Sequence, residues 1–144
     1  MKLSHRKKSF GLVAKDYQRY RKSYDKKLYR FISSLVSNKN KGTHLNFLDI
    51  GCGTGKSTEP LLKMKKGVKM KVFGCDPDKK MLFQARARVK KLGLLITYLE
   101  GNAEKLPFSN ETFDLIISGT AFHWFPTKKA LGEIKRKLKK NAPF

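Results

Sequence analysis

The chain has 144 residues, of which 40% are hydrophobic, and this length and composition are typical of one soluble domain. The formal net charge of +22 predicts attraction to nucleic acid or other acidic partners, but a solvated surface rich in Lys is the favoured explanation. No apolar run reaches the length of a membrane span, and no apolar signal core follows the basic start, which favours a cytoplasmic protein.

The pattern along the chain predicts a basic tail over residues 1–14 and one domain over residues 15–144. Apolar residues at steps of three and four predict an amphipathic helix over about residues 15–36. The elements predicted after it are, in chain order, a strand His44–Ile50, a helix around Ser57–Lys65, a strand Lys69–Cys75, a helix Lys79–Leu92, strands Leu94–Leu99 and Phe113–Ser118, and a helix Lys128–Lys140.

Strands that alternate with helices, and that are apolar throughout, predict an α/β fold with a parallel sheet covered on both faces. Right-handed crossovers then give a Rossmann-like sheet of about four strands. In such a sheet the ligand lies outside the carboxyl ends of the strands, so residues at those ends are the candidates for a site.

The most informative segment runs from Asp49 to Gly55, where a buried strand ends in an acid and glycines follow at every second position. Gly51, Gly53 and Gly55 permit positive φ angles and a close approach of the backbone to a ligand. The spacing is one residue too short for a Walker phosphate loop, and Lys56 stands where a dinucleotide-binding loop needs a third glycine.

Asp76 ends the second predicted strand, 21 residues after Gly55. A carboxylate at about this separation is placed to accept hydrogen bonds from a ribose diol. The alternative for Asp76-Pro77-Asp78 is a turn followed by a helix cap, but the glycine loop upstream favours ribose binding.

Cys52 and Cys75 each lie beside a glycine, near the predicted end of a strand. Reduced thiols are predicted for both, because disulfides are rare in the cytosol. Neither thiol has the His or Cys neighbours that a zinc site needs, and no metal site is predicted.

Four segments, each at a strand end, resemble those of class I methyltransferases that use S-adenosylmethionine, specifically of the type 11 family, in order and spacing. They are Asp49–Gly55, Gly74–Asp76, Glu100–Phe108 and Phe113–Ser118. The resemblance implies methyl transfer to a small molecule. His123-Trp124 and the Tyr17–Arg21 segment are more similar to the branch that methylates the carboxyl groups of trans-aconitate and malonyl-carrier protein.

The resemblance also implies roles for individual residues. Gly51, Gly53 and Gly55 would lie against the methionine part of S-adenosylmethionine, with Asp49 near its ammonium group. Asp76 would hold the ribose. The remaining residues implied for the cofactor are Pro77, Met81, Asn102 and Ala103 on the adenine, with the segment from Ser118 to Phe122 on the methionine and methyl side.

On the substrate side, the resemblance implies aromatic shielding by Tyr17, Tyr20 and Trp124. A lone His123 beside Trp124 is expected to pack rather than to act as a base, so no catalytic side chain is predicted; proximity can supply much of the acceleration. In the last predicted helix, Glu133 is expected on the outer face, where its substitution should change nothing.

In the family three further strands follow a helix like the last predicted one, whereas this sequence ends at Phe144. The expectation is therefore a domain incomplete at its C-terminus, with the last strand left as an open edge that favours self-association. Two alternatives remain. One is a methyltransferase directed to RNA, suggested by the charge, and the other is a non-catalytic remnant that binds the cofactor or acts through a partner chain.

Overall fold

A computed structural model describes residues 24–36, 44–64 and 68–144. The elements are, in chain order, α1 (Lys26–Val36), β1 (Leu45–Ile50), a 3-10 turn (Glu59–Lys63), β2 (Met70–Asp76), α2 (Lys79–Leu92), β3 (Ile96–Glu100), β4 (Leu115–Ile117), a second 3-10 turn (Phe122–Trp124) and α3 (Thr127–Lys137). The predicted helix over residues 15–36 is described only from residue 24 onward. Its earlier part, with Tyr17 and Tyr20, lies outside the described residues.

Within the described residues, the four strands form one sheet in the order β3-β2-β1-β4. Every neighbouring pair is parallel, and β1 pairs with β2 in the register that places Asp49 opposite Gly74. The predicted α/β fold with a Rossmann-like parallel sheet is therefore confirmed. Strand order reverses beside β1, where the chain passes first to β2 and β3 and later to β4.

Side chains that alternate along β1 pack into cores on opposite faces of the sheet. Phe47 packs with Tyr29 and Val36 of α1 on one face, whereas Leu48 packs with Ile134 of α3 on the other. A further cluster joins α2 to Tyr98 of β3. Because both faces are covered, four of the six residues of β1 are apolar, as is typical of a central parallel strand.

The helix predicted around Ser57–Lys65 is wrong in type and length, because the structure has only the five-residue 3-10 turn Glu59–Lys63 there. Pro60 lies in its first turn and has no N–H to donate. The last helix is also shorter than predicted, since it ends at Lys137 and Leu138 is already extended.

Residues that follow α3 run beside β4. Lys139 N donates to Phe113 O at 2.9 Å, and Ile116 N donates to Pro143 O at 3.2 Å. In the described sheet β4 is an edge strand, as expected, and Pro143 satisfies one of its backbone N–H groups. Among the described residues, no helix has both the length and the apolar character needed to cross a bilayer.

Candidate functional site

A cleft opens along the carboxyl edge of the sheet, formed by the segments that follow the four strands. These segments contribute Gly51–Thr54, Asp76–Asp78, Gly101–Ala103 and Gly119–Ala121. Since the sheet order is β3-β2-β1-β4, Asn102 and Asp76 lie toward one end and Thr120 toward the other. The cleft is partly open to solvent, and both polar and apolar residues line it.

The glycines of the loop have three different environments. Gly51, Gly53 and Gly55 all have positive φ, at 68°, 54° and 85°. A Cβ on Gly51 would lie 2.4 Å from the Cβ of Ala121, and one on Gly55 would lie 2.2 Å from the Tyr98 hydroxyl. A Cβ on Gly53 would have no neighbour within 4 Å, so Gly53 alone of the three presents bare backbone to open space.

Asp76 connects the glycine loop to the end of β2. Its Oδ2 accepts from Gly53 N at 2.9 Å, and its Oδ1 accepts from Asp78 N at 2.9 Å. The side chain is buried yet lines the cleft, so each oxygen retains a lone pair for a ligand. Burial raises the pKa of Asp76 to about 6, although the two backbone hydrogen bonds act in the opposite direction.

Asp49 lies beneath the glycine loop rather than on the surface of the cleft. It is fully buried, and its Oδ2 accepts from Ser57 Oγ at 2.6 Å and from Thr58 Oγ1 at 2.8 Å. Burial raises the pKa of Asp49 to about 7 against these two hydrogen bonds. The structure therefore gives Asp49 a role in supporting the loop, and Asp49 is not among the residues that line the cleft.

Asp78 both caps helix α2 and lines the cleft. Its Oδ1 accepts from Lys80 N at 2.9 Å and from Met81 N at 3.3 Å, which caps α2 as predicted. Its Oδ2 is buried without a hydrogen-bond partner, and the residue is 4% exposed. A buried carboxylate oxygen in this position is an acceptor available to a polar ligand.

The residues predicted for adenine lie together at the Asp76 end of the cleft. Pro77, Met81, Asn102 and Ala103 all line it, and Met81 and Ala103 are buried there. Ser118 does not line the cleft, because its hydroxyl donates to Ile50 O at 3.0 Å and so ties β4 to β1.

Aromatic side chains gather at the other end. Trp124 and Phe125 line the cleft, and Tyr24 lines it from the start of α1. His123 is exposed outside the cleft, with its ring centroid 4.9 Å from that of Trp124. The sequence predicts His123 on the substrate side, packed beside Trp124 and not acting as a base, whereas the structure leaves it exposed and not among the residues that line the cleft.

Sequence reasoning missed several residues of the cleft. They are Tyr24, Ile50, Cys52, Thr54, Lys56, Ser57, Asp78, Gly101 and Phe125, whereas Gly119, Thr120 and Ala121 belong to the segment expected on the methionine side. The residues between Thr54 and Ser57 could have been found by continuing the glycine loop by two positions. Tyr24 had no local signal, because at helical spacing it is indistinguishable from a core residue.

The arrangement fits a ligand that carries a nucleoside. Bare backbone at Gly53, the acceptors of Asp76 and Asp78, and the apolar Met81 and Ala103 together suit a ribose joined to an aromatic base. The described residues contain no cluster of three or more His, Cys, Asp or Glu that could hold a metal ion. Cys52 and Cys75 are both buried free thiols.

Known proteins with this combination of sheet and cleft are class I methyltransferases. A crystal structure from Methanococcus maripaludis, assigned as an S-adenosylmethionine-dependent methyltransferase, superposes with a TM-score of 0.72 at 26% identity, over 90% of this chain and 59% of that one. Phosphoethanolamine N-methyltransferase 2 of Haemonchus contortus, in complex with S-adenosylmethionine, superposes with a TM-score of 0.63 at 27% identity, over 79% of this chain and 26% of that one.

The chain belongs to the methyltransferase domain family, which matches residues 48–144. A Dictyostelium discoideum protein assigned as a methyltransferase is 31% identical over 132 residues, which is 92% of this chain and 45% of that protein. The chain thus spans less than half the length of this relative. Membership confirms the predicted family, and S-adenosylmethionine is the cofactor of that family.

Proposed function

We propose that this chain provides the cofactor-binding portion of an enzyme that transfers a methyl group from S-adenosylmethionine to a small molecule. The observation that carries the proposal is the link from Gly53 to Asp76, because it joins the exposed backbone of the glycine loop to a carboxylate in one cleft. The bound cofactor would supply an electrophilic methyl group on its sulfonium.

The residues of the cleft divide between the parts of this cofactor. Asp76 would accept hydrogen bonds from the ribose hydroxyls through the lone pairs that Gly53 and Asp78 leave free. Met81 and Pro77 would pack on adenine, with Asn102 and Ala103 at its polar edge. Backbone at Gly51 and Gly53 would contact the methionine part.

The acceptor would then enter at the aromatic end of the cleft. Trp124 and Phe125 there can exclude water from the reacting groups, and the shielding predicted for Tyr17 and Tyr20 stays a prediction. Methyl transfer to a carboxylate needs positioning more than a base. The acceptor class we propose is a carboxylic acid, as in the trans-aconitate and malonyl-carrier-protein branch, and the setting is cytoplasmic with reduced thiols.

Calorimetric titration with S-adenosylhomocysteine at about pH 8, where Asp76 is ionised, tests the proposal. Asp76→Ala should lower the affinity at least about tenfold, since hydrogen bonds to a charged group contribute roughly 1.5–3 kcal/mol each. Asp114→Asn is the matched control. Asp114 is equally buried and accepts from Asn46 N and Lys139 Nζ, but it lies outside the cleft.

Equal affinity in Asp76→Ala and the parent would exclude this placement of the cofactor. A folded parent protein that releases no heat would exclude the cofactor itself. Binding without methylation of any carboxylic acid would favour the non-catalytic alternative.

The net charge of +22 supports a second candidate, a methyltransferase that acts on RNA. Against it, the segment after β4 reads Ser118-Gly119-Thr120-Ala121, without the Asn/Asp-Pro-Pro-aromatic motif common in enzymes that methylate base nitrogens. Methyl incorporation into RNA, with salt-dependent RNA retention that Asp76→Ala leaves intact, would favour this candidate over a small-molecule acceptor.

A further inference from the structure

Helix α1 is fixed to the side of the cleft that carries the glycine loop. The Tyr29 hydroxyl donates to Ser57 O at 3.0 Å, and Ser33 Oγ donates to Met64 O at 3.2 Å. Tyr29 and Val36 are also buried in the core beside Phe47. The helix therefore cannot shift without disturbing the segment that continues the glycine loop.

Tyr24 extends from the start of this helix to the opposite side of the cleft. Asp25 begins the helix, since its Oδ1 accepts from Lys27 N at 2.8 Å, and Tyr24 is the residue before it. The Tyr24 hydroxyl accepts from Thr120 N at 3.1 Å and lies 3.5 Å from Thr120 Oγ1. One side chain thus connects the N-terminal side of the cleft to the segment that follows β4.

Gly119 shows how closely this contact is fitted. A Cβ on Gly119 would lie 2.6 Å from the Tyr24 hydroxyl oxygen and 3.3 Å from its ring carbon Cζ, while Ser57 Oγ would be 3.7 Å away. Gly119 therefore passes between Tyr24 and the glycine-loop side of the cleft. Its φ is outside the left-handed region, so the absence of a side chain is required by space and not by the backbone.

We propose that Tyr24 is a positioning residue that holds the segment Ser118–Ala121 in place at the aromatic end of the cleft. The proposal rests on the proposed function and puts this segment opposite Gly51 and Gly53, beside the methionine part of the cofactor. Loss of the hydroxyl would release Thr120 N to water and loosen the segment without removing any group from the nucleoside end.

The Tyr24 hydroxyl is expected to affect the binding of the amino-acid part of the ligand and not that of the nucleoside. Tyr24→Phe removes the neutral hydroxyl that bonds Thr120 N, so the affinity for S-adenosylhomocysteine should fall roughly three- to tenfold. The affinity for 5′-methylthioadenosine, which lacks the amino-acid part, should change less than twofold. A general loss of stability would weaken the binding of both ligands alike.

The experiment combines Tyr24→Phe, Gly119→Ala and the double variant, with Ser34→Ala as the control on the same helix. Ser34 Oγ donates only to Phe31 O and is exposed, so its loss should alter neither ligand affinity. Gly119→Ala alone should weaken S-adenosylhomocysteine binding at least as much as Tyr24→Phe. The double variant should be no worse than Tyr24→Phe, because the nearest clashing atom has been removed.

Hydrogen exchange of the Thr120 amide can be measured without ligand, so it tests the role of Tyr24 independently of the proposed function. The amide should exchange faster in Tyr24→Phe and at the parental rate in Ser34→Ala. Unchanged exchange, or losses of affinity that simply add in the double variant, would overturn the role of Tyr24. A parent protein that binds neither ligand would overturn the proposed function, and the exchange rates would still decide the contact.

Discussion

At the scale of single residues, the cleft is organised before any ligand binds. The carboxylate of Asp76 holds Gly53 N with one oxygen and Asp78 N with the other, so the ends of β1 and β2 are joined through one side chain. Asp49 supports the same loop from below through Ser57 and Thr58. Two buried acids therefore shape the loop, and one of them also faces the cleft.

A comparison of Gly53 with Gly93 separates the effect of a substitution on binding from its effect on backbone strain. Gly53 has φ 54° and Gly93, which ends α2, has φ 62°, and a Cβ on either would meet nothing within 4 Å. Alanine in this region costs roughly 1–2 kcal/mol, so Gly53→Ala and Gly93→Ala should lose similar stability in urea denaturation. Only Gly53→Ala should also lower the affinity for S-adenosylhomocysteine, by about tenfold or more.

Equal affinities in these two variants would show that Gly53 does not contact the ligand.

The raised pKa of Asp49 predicts how the free energy of unfolding depends on pH. Burial raises its pKa from 3.8 to about 7, so the folded protein favours the protonated acid more than the unfolded chain does. The contribution of Asp49 to the free energy of unfolding is fully present below about pH 4 and is lost as the pH rises toward 7. The loss is about 1.4 kcal/mol for each unit by which folding raises the pKa. Asp49→Asn keeps an acceptor for Ser57 and Thr58 but cannot ionise. The free energy of unfolding of Asp49→Asn relative to the parent should therefore rise between pH 4 and 7.

Parallel pH profiles for Asp49→Asn and the parent, measured by denaturation without ligand, would contradict the raised pKa.

At the scale of elements, α3 is attached to the sheet by buried charges as well as apolar contacts. Glu133 was expected on the outer face of this helix, and that expectation is wrong, since it is 5% exposed. Its Oε1 accepts from Leu106 N at 2.9 Å, and it pairs with Arg136 and Lys137. Lys137 Nζ in turn donates to Phe108 O at 2.6 Å. The helix therefore holds the segment between β3 and β4 that follows Ala103.

Glu133→Ala should lower the free energy of unfolding by about 3 kcal/mol or more, because it leaves Leu106 N and the Lys137 ammonium buried without their carboxylate. Glu100→Ala is the control. Glu100 pairs with Lys79 on the surface, and exposed pairs of this kind contribute at most about 1 kcal/mol. A loss in Glu133→Ala as small as that in Glu100→Ala, in urea titration, would show that α3 does not depend on this network.

At the scale of the whole molecule, the distribution of charge is the dominant feature. Thirty-three basic residues against 11 acidic ones leave a net charge of +22, and several of the acids are buried at the cleft or under α3. Self-repulsion of this size opposes the compact state. The same repulsion opposes the self-association expected at β4, whereas an anionic nucleic acid would relieve it.

Salt should therefore stabilise the protein. Raising sodium chloride from about 0.01 M to 1 M shortens the Debye length from about 30 Å to about 3 Å and screens the repulsion. The melting temperature should rise by at least about 4 °C, which corresponds to roughly 1 kcal/mol for a domain of this size. Calorimetric scans across this range measure the change. A melting temperature that stays constant or falls would mean that ion pairs such as that of Asp114 with Lys139 outweigh the repulsion.

The sequence by itself determined the parallel sheet, the glycine loop, and the meeting of Asp76 with Gly53 in one cleft. These follow from local signals, because apolar strands and alternating helices dictate a parallel sheet, whose carboxyl ends then share one edge. Only the tertiary structure decided that Asp49 lies under the loop, that Glu133 faces inward, and that Tyr24 reaches Thr120. The physical reason is that the direction of a side chain depends on how its element is rotated and packed against others, which no local pattern specifies.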